Sequence, residues 1–290
     1  MGAQAAALLD GGVLGEVPTD PPTTVELQLP RPPAYDLDRV ARGHGGVGLA
    51  PSAYDGRLHR VLPGGARVLL DADLAVRADG PVDAAVLRHV LCLDDDLDDL
   101  HDACDRVPSL AWVRDAGGGR VLRSPTAFED LACTLATTNT SYAATQRMVR
   151  GVVRGAFPTP DEVLALGEDG LRAAGWGYRA AFLLMLAARA DEAERWLDPD
   201  VPDDEVLAGI RSLPGFGPFA VASALPLLGH RPRPLVLDGW LRAQVPDPEV
   251  YAPMGRWAGT GLWLTTTAHR GGSGPRGAGS PSPAGSPPPR

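Results

Sequence analysis

The sequence predicts a mainly helical α+β protein, with a small antiparallel β region over residues 23–85 followed by an all-helical domain over 86–265. Three observations carry this. Short stretches with period-two alternation are confined to the first third of the chain. From Asp83 onward apolar residues recur at three- and four-residue spacing. Two such apolar segments, one with Val206, Leu207, Ile210 and Leu213 and the other with Phe219, Val221, Leu225 and Leu228, meet across Pro-Gly-Phe-Gly. A chain of 290 residues can bury a sizeable core and hold two domains.

Taken in order, residues 1–22 are small, acidic and interrupted by proline, and are expected to be disordered. Thr24–Leu29, Arg57–Val61, Arg67–Leu70 and Leu74–Val76 alternate as strands, separated by turns at Pro63-Gly64-Gly65 and Ala72-Asp73. Asp83–Val107 reads as helix, with Val86, Leu87, Val90, Leu93, Leu97 and Leu100 on one face. Seven aspartates between Cys92 and Asp105 then form a solvated face. They lack the glycine that a calcium loop needs for its turn, so no metal is expected.

Ser124-Pro125 suits an N-cap and first helical position. The helix runs through Phe128, Leu131 and Leu135 until Thr137–Ser141, five polar residues unsuited to a helix interior, and a new helix opens at Tyr142. Thr159-Pro-Asp-Glu162 is a capping box. Gly175-Trp-Gly177 breaks the chain before Tyr178, and residues 266–290 are a Gly/Ser/Pro-rich tail.

Composition bounds the function. No apolar run approaches the ~20 residues that cross a bilayer, so no membrane partner and a cytoplasmic, nucleoid-associated location are expected. Cys92, Cys104 and Cys133 are widely spaced and read as reduced thiols. A net charge of −9 argues against a nucleic-acid partner, but its distribution does not. Residues 206–244 hold Arg211, Arg231, Arg233 and Arg242 against Asp238 alone, and 137–154 hold three arginines and no acid. A basic face opposite an acidic back is therefore available. All 27 basic residues are arginine.

At the junction of the two apolar segments the chain must reverse with positive φ at Gly215 or Gly217, and Phe216 is driven inward. Pro218 suits the first turn of the second helix, where no amide hydrogen is needed. The amides of Gly215, Gly217 and Phe219 are uncrowded at the positive end of that helix, an arrangement that suits a phosphate and equally an ordinary helix–helix corner.

LPGFGPFAVASAL, followed 21 residues after Gly217 by Leu-Asp-Gly-Trp, resembles the helix-hairpin-helix DNA glycosylases with a Gly/Pro-rich loop and catalytic aspartate. The resemblance runs through SPTAFEDLACTLATTNTSYAATQRMV, FPTP and GWGYRAAFLLML, and covers roughly Leu87–Trp263. It implies a hairpin, 206–228, whose Leu213, Gly215, Gly217 and Phe219 grip a DNA strand, and a loop, Gly229–Pro234, leading to a catalytic Asp238. Asp238 also suits the cap of a helix from Trp240, and one residue can serve both roles. Asn139 would fill the gap left by a flipped-out nucleotide, with Tyr142 as a wedge, and Asn139 suits a helix cap equally well. Arg179 would meet a phosphate or pair with a core acid. Phe219 and Ser223 would read the base, with Trp240 and Met254 near them, although Trp240 suits plain core as well.

The partner implied is double-stranded DNA with a damaged base, met by a monomer without cofactor. The three cysteines exclude the iron–sulfur branch. Phe219 stands where bifunctional members carry a Schiff-base lysine, which implies simple hydrolysis. A carboxylate near C1′ stabilises the positive charge that builds on the sugar, and an already cationic alkylated purine such as 3-methyladenine needs little more. Alkylated purine is therefore the first expected substrate and 8-oxoguanine the second. A non-catalytic DNA-binding module is the rival from another class. Members of the family carry an apolar-aromatic helix past Trp263, which the low-complexity tail replaces here.

Overall fold

The computed structural model describes residues 15–43, 48–229, 231–237 and 247–267. A five-stranded antiparallel sheet forms from β1 (Val25–Gln28), β2 (Ser52–Tyr54), β3 (Leu58–Val61), β4 (Arg67–Leu70) and β5 (Ala75–Ala78), in the order β1-β5-β4-β3-β2. Register follows the hydrophobic pattern. Leu70 faces Val76 and Val68 faces Ala78, so these side chains share one buried face. That face packs on Tyr35, on Leu37 and Val40 of α1 (Leu37–Gly43), and on Leu87 and Val90 of α2 (Ala84–Val90). Neither α1 nor β2 is foreseen by periodicity, because each is too short and too evenly buried to show a period. Of residues 1–22, expected to be disordered, 1–14 lie outside the described residues, and in 15–22 Asp20 meets Arg57 at 2.9 Å and Glu16 meets Arg150 at 3.6 Å.

The single helix expected over 83–107 is two helices. α2 ends at Leu91, Cys92 takes a positive φ of 53°, and α3 spans Asp98–Cys104. The aspartates are not a bare solvated face. Asp95 receives two hydrogen bonds from buried Arg123 at 2.9 and 2.6 Å, Asp102 and Asp105 both meet Arg114, and Asp99 accepts from Arg256 and the Trp257 indole. These hydrogen bonds, the indole foremost, lower the Asp99 pKa. Among the described residues no group of three or more His, Cys, Asp or Glu could hold a metal, and no helix is long and apolar enough to cross a membrane.

After the short α4 (Trp112–Asp115), the helical core is built on α5 (Ala127–Thr137), α6 (Tyr142–Val152), α7 (Pro160–Ala173), α8 (Arg179–Ala187), α9 (Ala190–Arg195), α10 (Asp203–Arg211) and α11 (Pro218–Ala224). The cap of α5 is Thr126, two residues past the expected Ser124. The capping box at Thr159–Glu162 forms as the sequence indicates. Phe128, Leu131, Leu135, Trp176, Leu183, Val206 and Ile210 pack around α5 as one core. A second apolar cluster joins Leu100 and Leu110 to Tyr251, Met254 and α12 (Ala258–Thr267), which continues two residues past the expected boundary at 265.

The sheet is fastened to the helices by a buried ion pair, Arg60 Nη2 to Glu129 Oε1 at 2.5 Å. Next to Glu129, Asp130 is buried, and its Oδ1 accepts the Ser124 amide at 2.9 Å. Burial is the main cause that pushes the Asp130 carboxyl up to about 7, against the lowering effect of the Ser124 hydrogen bonds. The folded chain thus holds this proton more tightly than the unfolded chain, for which the ordinary value is 3.8. Its contribution to stability is full below pH 3.8 and is lost as pH rises through about 7. Between pH 5 and pH 8, urea unfolding of wild type should therefore lose about 2–3 kcal/mol relative to Asp130→Asn, a difference in which titrations of groups distant from Asp130 cancel. A constant difference between the two proteins would show that Asp130 is ionised throughout.

Candidate functional site

The hairpin forms from α10, whose first turn carries Asp203, Asp204 and Glu205 toward the positive end of the helix, and from α11. Leu213 is buried, its amide donates to Ile210 O and its carbonyl accepts from Phe216 at 3.2 Å. It supplies packing and has no free amide for a ligand. Phe216 turns inward. The positive φ falls on Gly215, at +87°, while Gly217 keeps φ −72° as the N-cap residue of α11 with Pro218 after it. Among the described residues no acceptor takes the amide hydrogens of Gly215, Gly217 or Phe219.

Gly215 seats the turn on two other helices. A Cβ there would stand 2.7 Å from Leu135 Cδ1 and 2.9 Å from Phe182 Cδ2. Leu135 lies four residues before Asn139, and Phe182 lies three after Arg179. The hairpin turn, the turn at 138–141 and the turn before α8 thus share one edge of the helical core. Asn139 is exposed there, with a positive φ of 45° that asparagine tolerates.

Arg179 is buried, with Nε donating to Thr138 Oγ1 at 3.3 Å and Nη2 to the Thr138 carbonyl. Among the described residues it meets no acid, and its Nε and Nη2 are both spent on Thr138. It clamps the turn that presents Asn139. Tyr142 is also turned inward, packed against the core with its hydroxyl over Gly48, and burial pushes its phenol up to about 12. Sequence reasoning missed Tyr178, which is 51% exposed, lies under the Arg179 guanidinium at 4.4 Å and meets the edge of Phe182 at 5.9 Å. The available signal was an aromatic residue directly after a helix-breaking glycine, where the following apolar positions face the core.

Phe219 is 39% exposed on α11. Ser223, one turn on, is buried with its hydroxyl 3.5 Å from Arg233 Nη2. Met254 is not with them. It is buried in the second cluster with Tyr251, and its sulfur fills the space that the missing Cβ of Gly261 leaves open. Asp238 and Trp240 lie outside the described residues.

The basic face also differs from expectation. Arg231 and Arg233 are buried, the former on four backbone and side-chain oxygens and the latter on Ala222 O at 2.8 Å, with its guanidinium 5.1 Å from the Trp263 ring. Of the arginines counted toward that face, Arg211 beside the hairpin, Arg147 and Arg150 on α6 and Arg154 just past it are exposed, while Arg242 lies outside the described residues.

No family model and no curated protein matches the sequence. Solved structures do match the fold. A 3-methyladenine DNA-glycosylase from Archaeoglobus fulgidus superposes with TM-score 0.59 at 18% identity over 85% of this chain and 99% of that one. The 8-oxoguanine glycosylase/lyase of Clostridium acetobutylicum, in complex with double-stranded DNA containing cytosine opposite 8-oxoguanine, gives 0.56 at 17% identity over 74% and 85%. Its apo-form gives 0.57 at 16% over 73% and 86%. The chain has the fold of the helix-hairpin-helix glycosylases.

The two hairpin glycines separate by experiment. Gly215→Ala combines a left-handed backbone with a clash against Leu135 and Phe182, and should lower stability by about 2–3 kcal/mol in urea unfolding. Gly217→Ala has ordinary φ and no atom within 4 Å of the new Cβ, so its loss should stay below about 1 kcal/mol. Equal losses would show that the turn is not seated as described.

Proposed function

We propose that this chain is a DNA repair glycosylase that hydrolyses the N-glycosidic bond of a damaged purine extruded from duplex DNA. The observation that carries the reading is the hairpin turn, in which the amides of Gly217 and Phe219 meet no acceptor among the described residues and Gly215 seats against the two helices that border exposed Asn139 and Tyr178. Such an edge can hold a phosphate through main-chain donors while a polar and an aromatic side chain reach into the stack. The glycosylase structures with the same fold support this use of the edge.

Asp238 is the proposed catalytic carboxylate. As the C1′–N bond breaks, its negative charge stabilises the cationic sugar, and water adds to C1′ while its proton passes to Asp238 or solvent. A cationic alkylated purine leaves as a neutral base, so no separate acid is needed, and this makes alkylated purine the first substrate. With no lysine in the chain, a Schiff base would have only the N-terminal amine, so the reaction ends at the abasic site. Neutral 8-oxoguanine is the second reading. It is favoured by the buried Arg233 guanidinium beside Ser223, a donor suited to an oxidised base, and by the similar superposition of the 8-oxoguanine enzyme.

Duplexes carrying single defined lesions, incubated with wild type and Asp238→Asn and developed with alkali, test the reading. Wild type should leave abasic sites, and Asp238→Asn should be slower by about a hundredfold, near 3 kcal/mol, with its DNA affinity kept. Gly217→Ala should bind DNA several-fold more weakly because its methyl crowds the free amides. Binding by both proteins without any abasic product would favour a non-catalytic DNA-binding module, and a borohydride-trapped adduct would overturn simple hydrolysis.

A further inference from the structure

We infer that Arg231 is the positioning residue that fixes the segment leading to Asp238 against the hairpin, an inference that rests on the catalytic reading of Asp238. Arg231 stands seven residues before Asp238 and is 5% exposed. Its Nη1 donates to Val201 O at 2.8 Å and to Asp203 Oδ1 at 2.7 Å, and its Nη2 donates to Trp196 O at 3.0 Å and Asp198 O at 2.8 Å. These four acceptors span the end of α9 and the first residue of α10. One guanidinium therefore collects three carbonyls and one carboxylate oxygen of this connection, which the planar fork of arginine can do and the single ammonium of lysine cannot.

The consequence is topological. From Asp203 the chain runs through α10, the Gly215 turn, α11 and Leu225–Leu227, reverses at Gly229 with φ +80°, and comes back through Arg231 to Asp203. The Arg231 amide also donates to Leu225 O at 3.3 Å, so both main chain and side chain hold the return. The loop is closed non-covalently around the hairpin. Next along the segment, the Arg233 amide donates to Thr260 Oγ1 at 3.2 Å and its Nε to Ala222 O at 2.8 Å, which ties the strand to α12 and α11 in turn. The segment that leads to Asp238 is thereby tied to the hairpin by a closed figure of hydrogen bonds as far as Arg233. A free seven-residue tether would leave it loose. Misplacing a reacting group by about 1 Å costs on the order of a hundredfold in rate without loss of binding.

The test uses full-length Arg231→Lys and Arg231→Gln, with three readouts: hydrogen exchange of the DNA-free protein, affinity for a duplex carrying a tetrahydrofuran abasic analogue, and single-turnover excision on the lesion that wild type accepts. The expected result is a local one. Peptides covering 229–237 exchange at least tenfold faster, those covering 206–224 keep their protection, affinity stays within threefold, and excision slows at least tenfold, with Lys milder than Gln. Exchange that rises uniformly, or affinity and excision falling together, would make Arg231 an ordinary stabilising residue and overturn the inference, as would unchanged exchange over 229–237.

If the Arg231 variants do not fold, Asp203→Asn removes one charged acceptor and leaves three carbonyls. The same localised exchange change, at least twofold, is then expected, and none overturns the proposal. Should wild type excise no lesion at all, the Asp238 reading fails, whereas the exchange measurement still decides whether Arg231 anchors the segment.

Discussion

The close seat of Gly215 on Leu135 and Phe182 is the constraint on which the helical half depends. Only a residue without Cβ lets the turn come this near, and only a residue at ease with φ +87° reverses the chain there. The approach fixes the hairpin against α5 and α8 at once. Each of those helices borders a turn of its own, the first running into Asn139 and the second following Tyr178, so one short contact aligns three loops that are distant in sequence. Among the described residues no acceptor takes the main-chain donors on the outward side of the same turn. Packing and ligand capacity therefore arise from one structural fact, the absence of side chains at two positions flanking Phe216.

Arginine does work here that composition alone misattributes. In a chain without lysine, clustered arginines suggest a basic surface, yet Arg60, Arg123, Arg179, Arg231 and Arg233 are all buried. Their guanidinium groups meet carboxylates at Glu129, Asp95 and Asp203, or the carbonyls of Thr138, Ala222 and the α9–α10 connection. A buried carbonyl without a donor costs about 1–3 kcal/mol, and a forked cation can serve several at once. The acidic stretch from Cys92 to Asp105 is the counterpart of this arrangement, because much of it is held by arginine or by the Trp257 indole.

Two rigidities of different origin support the edge. Arg179 holds the Asn139 turn by its backbone, so the exposed side chain is presented from a fixed stem. Arg231 holds the returning segment by its side chain. Between them the hairpin helix presents Phe219 to solvent while Ser223 stays beneath, beside Arg233. Donors whose positions are already set lower the ordering cost of any ligand that binds them.

Local chemistry was legible in the sequence. Glycine and proline punctuation located the hairpin, the Thr159 capping box and the break at Gly175–Gly177, and alternation located β1, β3, β4 and β5, because each depends on neighbours within a few residues. The interruption at Thr137–Ser141 likewise marked where α5 ends and α6 begins. What the sequence left undecided was direction and partnership. Whether Tyr142 or Tyr178 faces outward, whether Arg231 meets solvent or carbonyls, and which cluster claims Met254 all turn on residues dozens of positions away. The same arginine is a surface charge or a buried clamp according to whether another segment offers it oxygens to donate to, and only the folded chain brings those oxygens within about 3 Å.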